Sequence, residues 1–408
     1  MHKTSPKRVS SVKPSMSNKH ILLLLLSPLC SQAAPADSCT PPSNPPYGEW
    51  ICSSSLSSLT CSLDCDPGWI VQGKSTVYCA DGKWSEPGVN FGCTAVEAVM
   101  ITGDYGLKPS FTAELYGKYH GNDLRKELDY VNNMRSDATL NYVNSQIINC
   151  GGWGPNNHDS CITWNPETKR WPITYTTWSE EQGGGRSDHM SVVMGGRLHL
   201  IGGDNNRSPY TTEYIEPCQS NITKPGINLT SWSRSGCAVA LTHDTFAVIG
   251  GLGFECGDSL HGCGKRTATA YNVTSGEHYE LPSLRYSRMD HDCVLYKDRM
   301  TKEKYILVTG GRYEGSNYLG QTEILRVGDS YWREVGRLNI PRYHLSMAVT
   351  ETKILAFGGL RNGGGSDGTD TVEEYDLETQ TWTLARSMIY PRQGHAVTAV
   401  PSDLNNWC

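Results

Sequence analysis

The sequence predicts an all-β chain: a six-bladed β-propeller over residues 98–408, behind a small disulfide-rich module over residues 37–94. Three observations predict it. A phrase that opens on Arg, runs through an apolar strand and reaches a glycine pair recurs along the chain. An aromatic or apolar residue is followed seven positions later by Trp in several copies. Six cysteines crowd between Cys39 and Cys93.

The repeated phrase sets the blade count. Arg135 leads to Gly151-Gly152, Arg186 to Gly202-Gly203, Arg234 to Gly250-Gly251 and Arg342 to Gly358-Gly359, each Arg sixteen residues before its first Gly. Arg288 reaches Gly310-Gly311 with six more residues, in the polar stretch around Lys297 to Lys304. Self-similarity at a period of roughly 50 residues marks a radial repeat array. Arg392 opens a sixth copy that the chain leaves half-built, while Val99-Met100-Ile101-Thr102-Gly103 reads as the missing half. The C-terminal strand is therefore expected to complete the first blade.

Each copy has the composition of short strands. Ser191 to Met194 and Arg197 to Ile201 read as two strands ended by turn residues. A third strand follows, and Trp171, Trp332 and Trp382 stand seven residues after Trp164, Leu325 and Tyr375. His278 takes that place after Tyr271. A large apolar body there can wedge neighbouring sheets apart in a radial stack. Blade one has no clear Trp, and blade three carries an insertion between Tyr214 and Arg234.

Arg, paired glycines, Tyr and spaced Trp resemble kelch repeats over roughly residues 98 to 408. The N-terminal module resembles a sushi (complement control protein) module through Cys39-Thr40-Pro41-Pro42, Gly48, Cys61, Cys65, Gly68, Cys79, Gly82, Trp84 and Cys93. With Cys52 and Cys61 added, it is similar to the six-cysteine version found in selectins. That resemblance implies the pairs Cys39–Cys79, Cys52–Cys61 and Cys65–Cys93. So small a module lacks the core to fold without bridges. Its short connection to the propeller predicts limited freedom between the two.

Residues 1–36 read as a signal peptide. Five Lys or Arg and no acid precede the apolar run Ile21 to Leu26, and small residues suited to cleavage follow. Met16 is an alternative start. The run is too short to span a bilayer, and no membrane insertion is expected elsewhere. Fifteen cysteines fit an oxidising compartment. In the propeller, Cys150 with Cys161 and Cys256 with Cys263 are expected as local staples. Cys218 with Cys237, leaving Cys293 and Cys408 as a clasp on the ring, is one arrangement that sequence cannot fix. Sequons at Asn206, Asn221, Asn228 and Asn272 fit secretion. The net charge of −6 becomes more acidic when the leader leaves, which disfavours nucleic acid as a partner.

Two readings of the repeated arginines stand side by side. As in intracellular kelch adaptors, Arg135, Arg186, Arg234, Arg288, Arg342 and Arg392 could line the central face and bind carboxylate or sulfate by paired hydrogen bonds. Alternatively, a residue present in every repeat serves the repeat itself. Arg186-Ser187-Asp188-His189 and Arg288-Met289-Asp290-His291 imitate catalytic groups, but a per-blade recurrence points to packing. No cofactor, metal site or catalytic residue is assigned. The expected function is non-catalytic recognition or adhesion, secreted, with an extracellular protein or glycan as partner. A secreted copper oxidoreductase of the kelch type is the alternative.

Overall fold

The computed structural model describes residues 39–401 except 55–57, 73–74, 81, 86–91, 104–111, 120–121, 129–134, 154–158, 177–184, 205–209, 218–221, 254–261, 314–316 and 362–367. The leader, Met16, Asn206, Asn221, Cys218, Cys256 and Cys408 therefore lie outside the described residues.

Six four-stranded antiparallel sheets form the blades. Blade two runs Thr139–Val143, Gln146–Cys150, Ser160–Thr163 and Ile173–Thr176, from the axis outward. Blades three to six repeat this order, with first strands Met190–Met194, Cys237–Ala240, Asp292–Lys297 and Ser346–Val349. Blade one is split. Its inner strand Ala396–Val400 comes from the C-terminal part and pairs with Ala98–Thr102, Ala396 opposite Thr102. The ring thus closes through hydrogen bonds between distant parts of the chain.

The strands alternate or run fully apolar according to depth. Second strands such as Thr245–Ile249 are buried throughout, because both faces meet neighbouring blades. Trp332 and Trp382 are buried between blades and still satisfy their indole N–H groups. Trp332 donates to the Pro282 carbonyl at 2.7 Å and Trp382 to Thr322 Oγ1 at 2.9 Å. That placement matches the wedge expected from their spacing.

The N-terminal module has a four-stranded sheet and a two-stranded one. Its bridges are Cys39–Cys79, Cys52–Cys61 and Cys65–Cys93. It sits against the hairpin tips that join first and second strands of the blades. Ser75 bonds Asn144 of blade two, and Lys297 of blade five meets Asp66 at 2.7 Å. A Cβ on Gly68 would lie 2.5 Å from the Thr350 carbonyl of blade six. A Cβ on Gly196 of blade three would lie 2.7 Å from Thr76 Oγ1. The module is thus seated on the hairpin end of the ring.

In the propeller, Cys150 and Cys161 face each other across adjacent strands, Cα atoms 4.1 Å apart. Cys263 is disulfide-bonded. The remaining arrangement is corrected. Cys237 pairs with Cys293, Cα atoms 5.7 Å apart, so neither Cys218–Cys237 nor Cys293–Cys408 forms. Both partners sit on innermost strands of adjacent blades, four and five, where curvature brings strand starts together.

Candidate functional site

The Arg and the glycine pair recur together because they form one joint. Arg186 Nη1 donates to the Gly202 carbonyl at 2.6 Å in its own blade. The Arg186 carbonyl accepts the Gly152 N–H of the preceding blade at 2.7 Å. Arg135, Arg288, Arg342 and Arg392 make the same side-chain bond to Gly151, Gly310, Gly358 and Gly103. No side chain fits at the glycines. A Cβ on Gly151, where φ is +63°, would lie 2.3 Å from the Arg186 carbonyl and 2.7 Å from the His189 ring.

Carboxylates complete the joint in four blades. Glu213, Glu323 and Glu373 are fully buried and pair with Arg186, Arg288 and Arg342. Glu114 stands 3.9 Å from Arg392. Glu323 also accepts the Arg285 and Tyr286 N–H groups, and Glu373 those of Asn339 and Ile340, so each carboxylate anchors the crossover into its blade. In blade two the matching residue is Ile162. There burial pushes Arg135 down to about 10, against the pull of Asp159.

The expectation that the arginines line the mouth is corrected for all but one. Arg135, Arg186, Arg288, Arg342 and Arg392 are at most 2% exposed, their guanidinium groups occupied within the blades. Arg234 is the exception because it is out of register. The Gly203 N–H donates to the carbonyl of Ser233, so Ser233 holds the repeat position. Blade four pairs Cys237 with Ile249, while blade three pairs Met190 with Ile201, one residue closer. The longer hairpin restores the sixteen-residue spacing and disguises the shift.

Two positions after each repeat residue the chain turns at the axis. Asp137, Asp188, Ser235, Asp290, His344 and Gly394 all have φ between 50° and 58°. Each donates its N–H to the carbonyl of the previous one, Gly394 to His344 at 3.1 Å and Asp137 back to Gly394 at 2.8 Å. The result is a closed ring of six backbone hydrogen bonds at the end of the propeller opposite the sushi module.

Side chains on this ring form a charged collar. Arg234 is 27% exposed and pairs with Asp188 at 2.9 Å and with Asp204. Arg312 meets Asp290 at 2.7 Å and lies over the Tyr343 ring. His344 Nε2 stands 3.3 Å from Asp290. Burial alone would lower the His344 pKa, but Asp290, with Asp137 and Asp188 behind it, raises it to about 9. Burial pushes Asp137 up to about 7. Asp290 feels the same burial, yet His344 and Arg312 hold it below the usual carboxylate range. A cavity of about 310 Å³ opens behind the collar. Exposed Trp153, Tyr210 and Tyr313 stand at the same end of their blades.

The histidines that follow the ring residues serve packing. His189, His291 and His395 lie against the first glycines of neighbouring blades, Gly151, Gly250 and Gly358. Burial pushes each pKa down to about 3, helped by adjacent guanidinium groups. Leu345 fills the same place against Gly310. His291→Leu should therefore fold. An imidazole kept neutral in the fold but protonated in the unfolded chain costs stability as pH falls from about 6.5 towards 3. The variant's stability relative to wild type should rise by about 1.4 kcal/mol per pH unit over that window. Urea melts at pH 7 and pH 4.5 check this, and a difference independent of pH rejects it.

Among the described residues no group of three or more His, Cys, Asp or Glu is arranged to hold a metal ion. Asn228 is exposed. Asn272 spends its amide on Asp244, at 2.9 Å, and Thr245.

Comparison with known proteins agrees with this geometry. The Kelch motif matches residues 341–389, and the Sushi repeat (SCR repeat) matches residues 39–93. Kelch repeat and BTB domain-containing protein 1 of Cowpox virus (strain Brighton Red) is 28% identical over 159 residues, 38% of this chain and 25% of that protein. Alpha-scruin of Limulus polyphemus is 25% identical over 158 residues, 37% of this chain and 16% of that protein. The chain thus spans a quarter or less of these relatives. The solved structure of YjhT matches with a TM-score of 0.56 at 13% identity, over 72% of this chain and 95% of that one, and shows the fold alone. The chain thus carries a Sushi repeat at its N-terminus and a Kelch motif within an all-β, six-bladed propeller.

Proposed function

We propose that this is a secreted recognition protein that engages an extracellular protein or glycan through the collar end of its propeller. Kelch and sushi domains together carry a protein-interaction role. The observation that carries the choice of face is the seating of the sushi module on the hairpin end, which leaves the collar as the opposite end, not covered by that module. The connections between second and third strands leave the blades there, and loops on a rigid scaffold are where recognition concentrates. The trio Trp153, Tyr210 and Tyr313 offers the exposed aromatic area that dominates binding energy at interfaces. The bridges of the sushi module, Cys150–Cys161 and Cys237–Cys293 support an oxidising, extracellular setting. Asn228, exposed on blade three, is the described sequon best placed to carry a glycan.

An array of extracellular ectodomains and glycans, probed with the secreted chain, tests the reading. For each binder, the triple change of Trp153, Tyr210 and Tyr313 to Ala should weaken capture at least tenfold. The sushi change Tyr78→Ala, at a side chain 43% exposed, should leave capture intact. Binders lost with Tyr78 and kept by the triple variant would place recognition on the module instead.

A further inference from the structure

We propose that the collar binds a cationic group on a slim aliphatic arm, an ammonium or guanidinium such as a lysine or arginine side chain of a partner protein. This rests on the reading that the collar is the binding face.

The acids of the collar are not equally satisfied. Asp188 is held by Arg234 and Asp290 by both Arg312 and His344. Among the described residues, the nearest cation to the Asp137 carboxylate is His344 Nδ1, at 3.9 Å, too far for a hydrogen bond. Yet the Asp137 side chain is only 11% exposed. Burial presses on its charge, and His344 and Arg234 offset that only in part, which agrees with its raised pKa.

One ring neighbour of Asp137 offers it no side chain. Gly394 is the one ring member without a side chain, and a Cβ there would lie 2.6 Å from Asp137 Oδ1. The carboxylate thus packs against the Gly394 backbone and receives no side-chain donor from that ring position. Deeper in the same cavity is Asn141, only 8% exposed. Its Oδ1 accepts the Ser191 hydroxyl at 3.0 Å, and its Nδ2 has no hydrogen-bond partner. Turning the amide over would exchange the two atoms, so one unfilled polar atom remains in either orientation. Ala138, Met190 and Leu345 line the walls between, apolar surface suited to a methylene arm.

Charge and shape select the ligand class. The two guanidinium groups at the collar, Arg234 and Arg312, are already paired with carboxylates, so an anion finds no free cation in them. A cation finds Asp137. At about 310 Å³ the cavity admits a side chain or small amine rather than a folded segment.

The test uses the intact secreted chain and four fragments of equal length: butylguanidinium, butylammonium, butanol and butyrate. Binding is followed by NMR of the histidine ring signals and by calorimetry. Both cations should bind at least tenfold more tightly than butanol or butyrate, and should shift the His344 resonances. Asp137→Asn should abolish the preference for cations. Gly394→Ser puts a Cβ against the Asp137 carboxylate, with a residue that Ser235 shows the ring accepts, and should block both cations. Butyrate binding as tightly as the cations, cations binding without moving His344, or no binding by any fragment would each overturn the proposal. So would cation binding unchanged in both variants. A partner that docks elsewhere leaves these fragment results untouched, so the two readings fail separately.

Discussion

Removing residues 391–408 is expected to unfold the propeller as a unit. The deletion takes Ala396–Val400, which supplies every backbone bond between the inner strand of blade one and Ala98–Thr102. It also takes Arg392, whose guanidinium holds Gly103 and Thr112, and Gly394, without which the axial ring is open. Buried Ala396, Val400 and His395 leave their neighbours facing water. Losing the buried Val400 side chain alone costs about 1.5–3 kcal/mol, and a domain typically has about 5–15 kcal/mol in total. The truncated chain should show no cooperative melt and should be cut rapidly by protease at blade one. A melting temperature within a few degrees of full length would show that ring closure contributes little.

The second large effect concerns the buried ion pairs. Arg342→Ala leaves the Glu373 carboxyl fully buried without its guanidinium partner and dependent on the N–H groups of Asn339 and Ile340 and the Asn339 amide. Breaking a buried pair from one side costs about 3–5 kcal/mol. Removing both charges should cost far less. Blade four is the chain's own precedent: Ser233 occupies the Arg place and Thr269 the Glu place, and the joint to Gly203 still forms. The double variant Arg342→Ser with Glu373→Thr should therefore lose less than Arg342→Ala alone, the remaining cost being the lost volume. Urea titration of the three proteins compares them directly. Equal losses for the single and double variants would mean that the arginine matters by its volume, not its charge.

The propeller was legible because its joint uses near neighbours in sequence: an Arg and a glycine pair separated by one hairpin. Its carboxylate partner was hidden. Glu213 lies 27 residues beyond Arg186, Glu323 lies 35 beyond Arg288 and Glu373 lies 31 beyond Arg342, because the intervening connections differ in length. No fixed spacing survives to be read. Arg234 shows the opposite failure. Its spacing is right and its place is wrong, since an insertion in one hairpin cancelled a shift at the start of the strand. Cys237–Cys293 spans 56 residues and follows from curvature of the ring, which no local pattern reports. Of the collar, Asp188 and Asp290 were visible as a recurring tripeptide beside histidines. That the acids face the axis while the histidines turn between blades depends on a left-handed backbone that composition does not reveal.

That left-handed turn has an electrical consequence. Around the axis the six N–H···O=C hydrogen bonds run in one rotational sense. Dipoles in a helix add along a line and create a pole that draws anions. Dipoles chasing one another round a circle cancel, so the hoop closes the barrel without presenting a pole to either side. The field met by a visitor at the opening is therefore set by whatever side chains the hoop carries. Since Asp, Ser, His and Gly all adopt the turn here, the sign of that field can be rewritten one blade at a time while the closure itself stays as it is.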